Sequence, residues 1–387
     1  MPRLLLIAER FPPDIGGLAT SGARIADSLF KLGIELDVLV WSRYLQPGEV
    51  QPLTNTFPFS VYRIGLYRHW DMTMTHTLNF LDWLHQQKPY DAVWGHYLFP
   101  AGFLAVWFAQ IKGIKSIVSA RGNDVDRGIF PPGDFARTQW TLERADLITA
   151  VSKDLAKKII ILSRRDDILV IKNVVNPDIF TSKAALETKL SLRESLGISP
   201  DEIVLGFAGE LREKKGQGFL LKALTKVRQN RSACLLVIGE VRTTQEAAIQ
   251  LYAGQYPEDY KRLIVTGHLD EPEKVALHLQ LCDIFLQPSV WEGMPNALLE
   301  AMACGCCCIA SDAGGIPEIV EHGLNGFMLP RQQLQCLPDA VLECLDLDSK
   351  VRAQIGIAAR DRILAEFSPL QEKLLLQSVI DRLIPSS

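Results

Sequence analysis

Two glutamates in the segment Glu292–Gly305 flank the predicted start of a helix. Pro295 favours a first helical turn, and the apolar residues after it recur at helical spacing until Gly305. Free N–H groups at a helix start bind anions, and Gly293 lets a ligand approach the backbone closely. Glu300 can accept hydrogen bonds from the two hydroxyls of a ribose, and Glu292 can accept them from a sugar. This combination indicates a site for a nucleotide sugar.

The same segment resembles the donor site of a known family. The glutamate pair, the run LLEAMACG and the following SDAGGIPEIVEHGLNGF are similar to retaining glycosyltransferases of family four, the group 1 glycosyl transferases of the GT-B fold. The resemblance implies transfer of a sugar from a nucleoside diphosphate sugar to an acceptor hydroxyl, in glycan, polysaccharide or glycolipid synthesis. It implies retention at the anomeric carbon, no metal, no cofactor other than the donor substrate, and donor contacts from Gly293, Met294, Pro295 and Asn296.

A glycine pair in the first part of the chain is a candidate for binding the donor phosphates. Gly16 and Gly17 follow a predicted strand and precede a helical pattern from about Thr20. Paired glycines allow close approach of the backbone, and the helix start favours negative charge. The loop is also similar to the family's first loop, which lies against the donor phosphates and the acceptor.

A second phosphate-binding loop is expected at residues 209–216. Lys215 matches the lysine with which the family holds the diphosphate. Glu210 stands where the family has an arginine, and a carboxylate cannot itself hold a phosphate. Arg212, two residues later, is therefore the candidate to replace that arginine.

Four further residues are assigned by the resemblance. Leu269 lies where the family contacts the nucleotide base through its backbone, so UDP-, GDP- and ADP-sugars all remain possible donors. His96, predicted just beyond a strand, corresponds to a catalytic histidine that approaches the transferred sugar and its phosphate. Arg121 and Asp124 lie in a loop similar to the family's H-G-x-D, as acceptor-side or sugar contacts. Lys215, His96 and Glu292 form the predicted catalytic set.

Length and pattern predict two α/β domains. A chain of 387 residues that is 48% hydrophobic exceeds one ordinary core. Strand-like and helix-like segments alternate throughout, which favours two Rossmann-like, doubly wound parallel sheets, expected to face each other across a cleft. The predicted limits are 1–180 for an N-terminal acceptor-side domain and 181–365 for the donor domain. By resemblance, a C-terminal helix within 366–387 packs back on the first domain.

Charge and cysteine content narrow the partners and the compartment. A formal charge of -4 argues against a nucleic-acid protein, and 8 cysteines without a disulfide framework favour a reducing cytoplasm. Cys304 and Cys307 have zinc-like spacing, but no second pair completes a site. Basic residues between Lys153 and Arg165 allow peripheral contact with anionic lipid at the inner membrane face, or form a solvated helix face.

Two other functions remain open from the sequence. A nucleotide-sugar 2-epimerase shares this architecture and needs no acceptor. A non-catalytic subunit with a degenerate donor site would be consistent with the substitutions at Glu210 and Arg121. The acceptor, a saccharide, a lipid-linked saccharide or a small metabolite, and the oligomeric state are not determined by these patterns.

Overall fold

The computed structural model describes residues 1–53 and 56–383. The chain divides into two units, the first made of Met1–Asn173 with the C-terminal segment from Leu370, and the second made of Val174–Pro369. Each unit is built on an open, largely parallel sheet with helical connections. The predicted fold class, two parallel-sheet α/β domains, is confirmed.

The first unit, as far as it is described, contains an eight-stranded sheet. Its strands are β1 (Arg3–Ala8), β2 (Glu35–Ser42), β3 (Val50–Leu53), β4 (Ser60–Gly65), β5 (Ala92–His96), β6 (Lys115–Ala120), β7 (Leu147–Ala150) and β8 (Ile168–Val170). They lie in the order β3-β4-β2-β1-β5-β6-β7-β8, and all neighbours are parallel except the edge pair β3–β4. The sequence pattern did not predict β3 and β4, because β3 is a short, partly exposed edge strand and β4 contains the charged Arg63.

Helices cover both faces of this sheet. They are α1 (Gly17–Lys31), α2 (Trp70–Gln87), α3 (Phe103–Lys112), α4 (Asn123–Asp126), α5 (Pro132–Arg144) and α6 (Lys153–Ser163). Helix α1 buries small and aliphatic residues, including Ser21, Gly22 and Ile25. Its narrow buried face lets it pack closely on the sheet, next to the end of β5.

The described part of the second unit has a six-stranded sheet. The strands are β9 (Ile203–Ala208), β10 (Ala233–Ile238), β11 (Leu263–Val265), β12 (Ile284–Gln287), β13 (Cys308–Ser311) and β14 (Phe327–Leu329). They are parallel and lie in the order β11-β10-β9-β12-β13-β14. The helices are α7 (Leu186–Ser195), α8 (Gln217–Arg228), α9 (Glu246–Gln255), α10 (Pro257–Tyr260), α11 (Pro272–Leu279), α12 (Asn296–Ala303), α13 (Leu337–Asp346) and α14 (Ser349–Glu366).

The last helix, α15 (Pro369–Leu383), belongs to the first unit from Leu370 onward. Leu376 and Val379 are fully buried in the same core cluster as residues of β1 and α1. Glu372 is also buried, and its carboxylate pairs with the guanidinium of Arg24 on α1 at 3.0 Å. Apolar burial and this buried ion pair together anchor α15 to the first unit. Within the described ranges, no helix combines the length and apolar composition required to cross a membrane.

Candidate functional site

The strand order of each sheet reverses at one point, and four of the predicted site residues follow or end the strands beside it. In the second unit the chain passes from β9 to β10 on one side and reaches β12 on the other, so the reversal falls between β9 and β12. In the first unit it falls between β1 and β5. Loops at the carboxyl ends of strands leave a crevice at such a switch point, where open α/β sheets bind ligands. Lys215 and Glu292 follow β9 and β12, whereas Gly16 follows β1 and His96 ends β5.

Lys215 and Glu292 form an ion pair at the switch point of the second unit. Lys215 Nζ lies 2.5 Å from Glu292 Oε1, although the residues are 77 positions apart in sequence. The side chain of Glu292 is 8% exposed and that of Lys215 is 17% exposed. Charges this far from water are strongly coupled to each other. The structure therefore brings together two of the three residues that the sequence predicts to be catalytic.

Neighbouring donors hold the Glu292 carboxylate in its ionised form. Burial raises the pKa of Glu292, but the charges of Lys215 and Lys214 and hydrogen bonds from Lys215 and Ser289 outweigh it, so the pKa is lowered overall. Ser289 Oγ donates to Glu292 Oε1 at 2.7 Å, and Gln287 Nε2 donates at 3.1 Å. The carboxylate is therefore an acceptor-only group near neutral pH.

Two glycines determine how closely the surrounding loops pack. Gly314 has a φ of 55°, and a Cβ there would lie 1.8 Å from the carbonyl oxygen of Glu292. Gly216 has a φ of 82°, and a Cβ there would lie 2.2 Å from the carbonyl oxygen of Pro288. Any side chain at either position would push the loop of Glu292 away. A backbone hydrogen bond of 2.8 Å from Val290 N–H to the Lys214 carbonyl holds the same two loops together.

Helix α12 begins at Asn296, with Pro295 as the preceding cap residue. The predicted helix start is therefore confirmed to within one residue, and Gly305 has the left-handed φ of 80° expected after the helix. Among the described residues, the buried amide oxygen of Asn296 has no hydrogen-bond partner. Glu300 lies one turn further on the same helix and is partly buried. Gly293 and Met294 complete the loop before it, so the predicted donor contacts form one continuous segment.

A cation that the sequence analysis did not identify, Arg242, lies beside the Gly209 loop. Glu210 pairs with Arg212 at 3.2 Å and with Arg242 at 3.5 Å. The loops after β9 and β10 lie side by side, because Leu211 N–H donates to the Glu240 carbonyl at 2.7 Å. Arg242 therefore lies beside Arg212 although it is distant in sequence. The sequence predicts a parallel sheet but not which strands are neighbours, and only the pairing of β9 with β10 points to Arg242.

The residues predicted at the nucleotide base follow β11. Gly267 has a φ of 75°, and Leu269 is partly buried. Thr266 Oγ1 accepts from Gly239 N–H at 3.1 Å and donates to the Gly267 carbonyl at 2.8 Å. These bonds position the turn, and the base contact of Leu269 stays a prediction.

A buried arginine holds the loop before the glycine pair in the first unit. Arg63 of β4 is 6% exposed, and its Nη2 donates to the carbonyls of Phe11 and Pro12 at 2.9 Å each. Gly16 has a φ of 122° and caps α1, which begins at Gly17 rather than near Thr20. Arg63 therefore positions the loop that leads to Gly16.

His96 is the last residue of β5 and not, as predicted, just beyond it. Its side chain is fully buried, and Nε2 lies 2.9 Å from Ser21 Oγ of α1. Burial, and then the charges of Arg121 and Arg24, hold the pKa of His96 well below its usual value. The imidazole is therefore neutral at physiological pH.

Arg121 and Asp124 lie in the loop after β6. The Asp124 carboxylate accepts from the backbone N–H groups of Arg121, Gly122 and Leu98 at distances between 2.7 and 3.2 Å. Burial raises the pKa of Asp124 to about 6. Burial and the charge of Arg24 lower the pKa of Arg121 to about 10, and its Nη2 donates to Asn173 Oδ1. Asp124 thus holds the loop, and the substrate contacts of both residues stay predictions.

The basic cluster of α6 is partly neutralised. Lys158 pairs with Asp126 at 2.7 Å and with Asp154 at 2.8 Å, while Lys157 and Ile161 are exposed. In the part of the chain that the structure describes, no group of three or more His, Cys, Asp or Glu is placed to hold a metal ion. All 8 cysteines are free thiols, and most are buried.

Two family models match the chain, one in each unit. The model described as "Glycosyl transferase 4-like domain" matches residues 16–173, and the model described as "Glycosyl transferases group 1" matches residues 202–347. The chain belongs to the group 1 glycosyltransferases of the family-four type. The matched ranges contain the Gly16 loop and His96 in the first case, and Lys215 and Glu292 in the second.

Relatives of this glycosyltransferase span almost the whole chain. N-acetyl-alpha-D-glucosaminyl L-malate synthase of Bacillus anthracis is 25% identical over 370 residues, 94% of this chain and 93% of the relative. The GDP-mannose-dependent monoacylated alpha-(1-6)-phosphatidylinositol monomannoside mannosyltransferase of Corynebacterium glutamicum is 26% identical, over 95% and 94% of the two chains. Neither relative supports the two alternatives left open by the sequence, a nucleotide-sugar 2-epimerase or a non-catalytic subunit.

Solved structures share the fold of this glycosyltransferase. Sucrose-phosphate synthase from Thermosynechococcus elongatus matches with a TM-score of 0.82 and 17% identity, covering 100% of both chains. The Anabaena protein HepE, in complex with UDP, matches with a TM-score of 0.81 and 18% identity, over 99% of this chain and 100% of that one. The likeness identifies the GT-B fold in this chain.

Proposed function

We propose that this glycosyltransferase moves a sugar from a nucleoside diphosphate sugar to an acceptor hydroxyl, with retention at the anomeric carbon and without a metal ion. The observation that carries the proposal is the buried pair of Lys215 and Glu292 at the switch point of the second unit. An ionised, acceptor-only carboxylate suits sugar hydroxyls, and an ammonium beside it suits a diphosphate. HepE was solved with UDP-glucose, and the mannosyltransferase relative is GDP-mannose-dependent, which supports nucleotide sugars as the donor class.

The chemistry requires stabilisation of a departing nucleoside diphosphate. Lys215, with Arg212 and the N–H groups around Gly293 at the start of α12, supplies positive potential where that negative charge develops. Glu292 binds the sugar, and Glu300 binds the ribose. The acceptor attacks from the side of the leaving group, whose phosphate takes the acceptor proton. In this mechanism the ammonium group has the electrostatic role that a metal has in other transferases.

The first unit provides the acceptor side in this proposal. In this proposal the Gly16–Gly17 loop contacts the donor phosphates and the acceptor, His96 approaches the transferred sugar and its phosphate, and Arg121 contacts the acceptor or the sugar. Asp124 contributes by holding the loop of Arg121 through three backbone N–H groups. The acceptor is a saccharide or a lipid-linked saccharide in this proposal. Contact of a cytoplasmic enzyme with anionic lipid would use the exposed residues of α6.

Nucleotide binding tests the donor site directly. Thermal stability is measured with UDP, GDP and ADP, each with and without magnesium, for the wild type, Glu300→Ala and the control Glu343→Ala on an exposed position of α13. At a hundredfold excess over the dissociation constant, linkage predicts about 2.7 kcal/mol of stabilisation. One nucleotide should stabilise the wild type and the control equally with and without magnesium, and Glu300→Ala far less.

Failure to bind any nucleotide would refute the donor site. For retention, the anomeric configuration of the product is read by NMR after turnover of the sugar nucleotide whose base binds. An inverted product, or loss of transfer in the presence of EDTA, would contradict the mechanism while leaving the transferase intact.

A further inference from the structure

Ser21 of α1 contacts His96 inside the first unit, and no role for Ser21 follows from the sequence motifs. Ser21 Oγ and His96 Nε2 are 2.9 Å apart, and the two residues are 1% and 0% exposed. At the neighbouring Gly22, a Cβ would lie 3.5 Å from His96 Cδ2, an ordinary contact distance. Helix α1, which begins at the Gly16 loop, therefore presents small residues to the imidazole. Only Ser21 among them offers a hydrogen-bonding side chain.

The direction of this hydrogen bond follows from the second partner of Ser21. Ser21 Oγ also lies 3.1 Å from the carbonyl oxygen of Leu18, a group that can only accept. A serine hydroxyl has one hydrogen, which the Leu18 carbonyl takes. The bond to His96 is then donated by the ring, so Nε2 carries the proton, and the interaction of the Leu18 carbonyl with the ring favours the same arrangement.

The environment of the second ring nitrogen supports the same tautomer. His96 Nδ1 is buried and has no hydrogen-bond partner among the described residues. If Nδ1 carried the proton, a buried N–H would lack an acceptor, and orphaned N–H groups are rarer in proteins than unsatisfied acceptors. Burial and the charges of Arg121 and Arg24 oppose a doubly protonated ring. The geometry thus leaves one neutral tautomer, with a lone pair on Nδ1.

We propose that Ser21 is a positioning residue that locks His96 in the Nε2–H tautomer, so that Nδ1 accepts a hydrogen bond from a hydroxyl of the transferred sugar. The inference rests on the proposed function, because it takes a glycosyl donor as the ligand. A lone pair accepts from a hydroxyl but repels a phosphate oxygen. Ser21 therefore selects the sugar over the donor phosphate, the two partners predicted for His96. Because the ring is covered, neighbouring residues must shift locally when the hydroxyl binds.

The tautomer is observed by NMR of protein labelled with 15N-histidine. The chain has 7 histidines, and the His96 signals are identified by their loss in His96→Asn. The wild type should show the neutral Nε2–H pattern for His96 at pH 7, and Ser21→Thr should keep it. Ser21→Ala should give a mixture of tautomers. Ser195→Ala is the matched control, because Ser195 makes the same bond to a carbonyl three residues earlier, at 2.8 Å, in an exposed position.

Ligand and rate measurements connect the tautomer to the sugar. The Nδ1 resonance of His96 should move on addition of a nucleotide sugar and not on addition of the matching nucleoside diphosphate. The kcat of Ser21→Ala should fall by between about tenfold and about a thousandfold, as expected for a wrongly held functional histidine. Ser21→Thr should recover most of the rate, and Ser195→Ala should lose none.

Each other outcome overturns the inference. A wild-type His96 that is Nδ1-protonated or doubly protonated at pH 7 excludes the lock. The lock is also excluded if Ser21→Ala shows the same tautomer as the wild type. If Ser21→Ala fails to fold, Ser21→Cys takes its place in this comparison. An equal shift of Nδ1 with the nucleoside diphosphate alone places the phosphate there instead of the sugar. If no nucleotide binds, the proposed function fails, and the His96 spectra still decide the tautomer.

Discussion

Replacing Lys215 by methionine should destabilise the second unit at pH 7, because it leaves the buried Glu292 without its cation. Methionine keeps most of the apolar stem of lysine and removes only the charge. The Glu292 side chain is 8% exposed, so water cannot replace the ammonium that lies 2.5 Å from Oε1. Removing one partner of a buried ion pair costs roughly 3–5 kcal/mol, far more than breaking a surface pair.

Two features of the structure reduce the expected loss of stability. Ser289 and Gln287 still donate hydrogen bonds to the carboxylate, and the Lys215 side chain is itself 17% exposed. We therefore expect a loss at or somewhat below the lower end of that range, about 2–3 kcal/mol. For a unit of roughly 200 residues, each kcal/mol lowers the Tm by about 2–4 °C, so the Tm of the second unit should fall by about 4–12 °C.

The pH dependence of the loss has a definite sign. The pKa of Glu292 is lowered in the folded wild type, so its stabilisation is present above its ordinary value of 4.5 and is lost as the pH falls through the lowered value. In Lys215→Met, burial acts unopposed by the ammonium and raises the pKa of Glu292. Lys215→Met is then less stable than the wild type at pH 7, and it regains stability at lower pH as the Glu292 carboxyl takes up a proton. The gap in Tm between the two proteins should narrow from pH 7 towards pH 4.5.

Calorimetry of five proteins measures the effect. Lys215→Met, Glu292→Gln and the double variant complete a double-mutant cycle with the wild type, and Lys222→Met, an exposed lysine of α8, is the matched control. The double variant should lose less than the sum of the single losses by about 1 kcal/mol or more, and the control should stay within about 0.5 kcal/mol. Additive losses, a Lys215→Met protein as stable as the control, or a gap that widens in acid would refute the reasoning.

Three further measurements follow from single side chains. Tyr97 has a φ of 112°, a backbone conformation that favours glycine. In urea, the free energy of unfolding of Tyr97→Gly should therefore exceed that of Tyr97→Ala by about 1 kcal/mol or more. Equal stability of the two variants would show that the backbone is not strained at this position. Glu210 competes with a phosphate for Arg212 and Arg242, so Glu210→Gln should bind the preferred nucleotide about two- to fivefold more tightly by calorimetric titration, whereas weaker binding would contradict that competition. Cys336 is exposed, and the other seven cysteines are less exposed. One thiol should therefore react rapidly with a disulfide reagent, and Cys336→Ser should abolish this fast reaction. A fast reaction that persists in Cys336→Ser would show that another thiol is the reactive one.

Local patterns in the sequence determined the fold class and most of its elements. Buried parallel strands read as short apolar runs between helical segments, as β9, β12 and β13 do. The start of α12 and the left-handed Gly305 were predictable because caps and stops depend on neighbouring residues. Strands β3, β4 and β14 were missed: β3 is short and partly exposed, β4 is interrupted by the charged Arg63, and β14 has only three residues.

The sequence by itself therefore determined the family, the alternation of strands and helices, and the residue types of the candidate site. Only the tertiary structure decided which of those side chains are partners. The Lys215–Glu292 pair spans 77 positions and the Ser21–His96 contact spans 75, and Arg242 reaches Glu210 from the next strand of the sheet. The physical reason is that neighbouring parallel strands bring together loops that are far apart in the chain, and at a switch point these strands are not even consecutive. Hydrogen bonds there depend on strand order and helix packing, which no local pattern encodes.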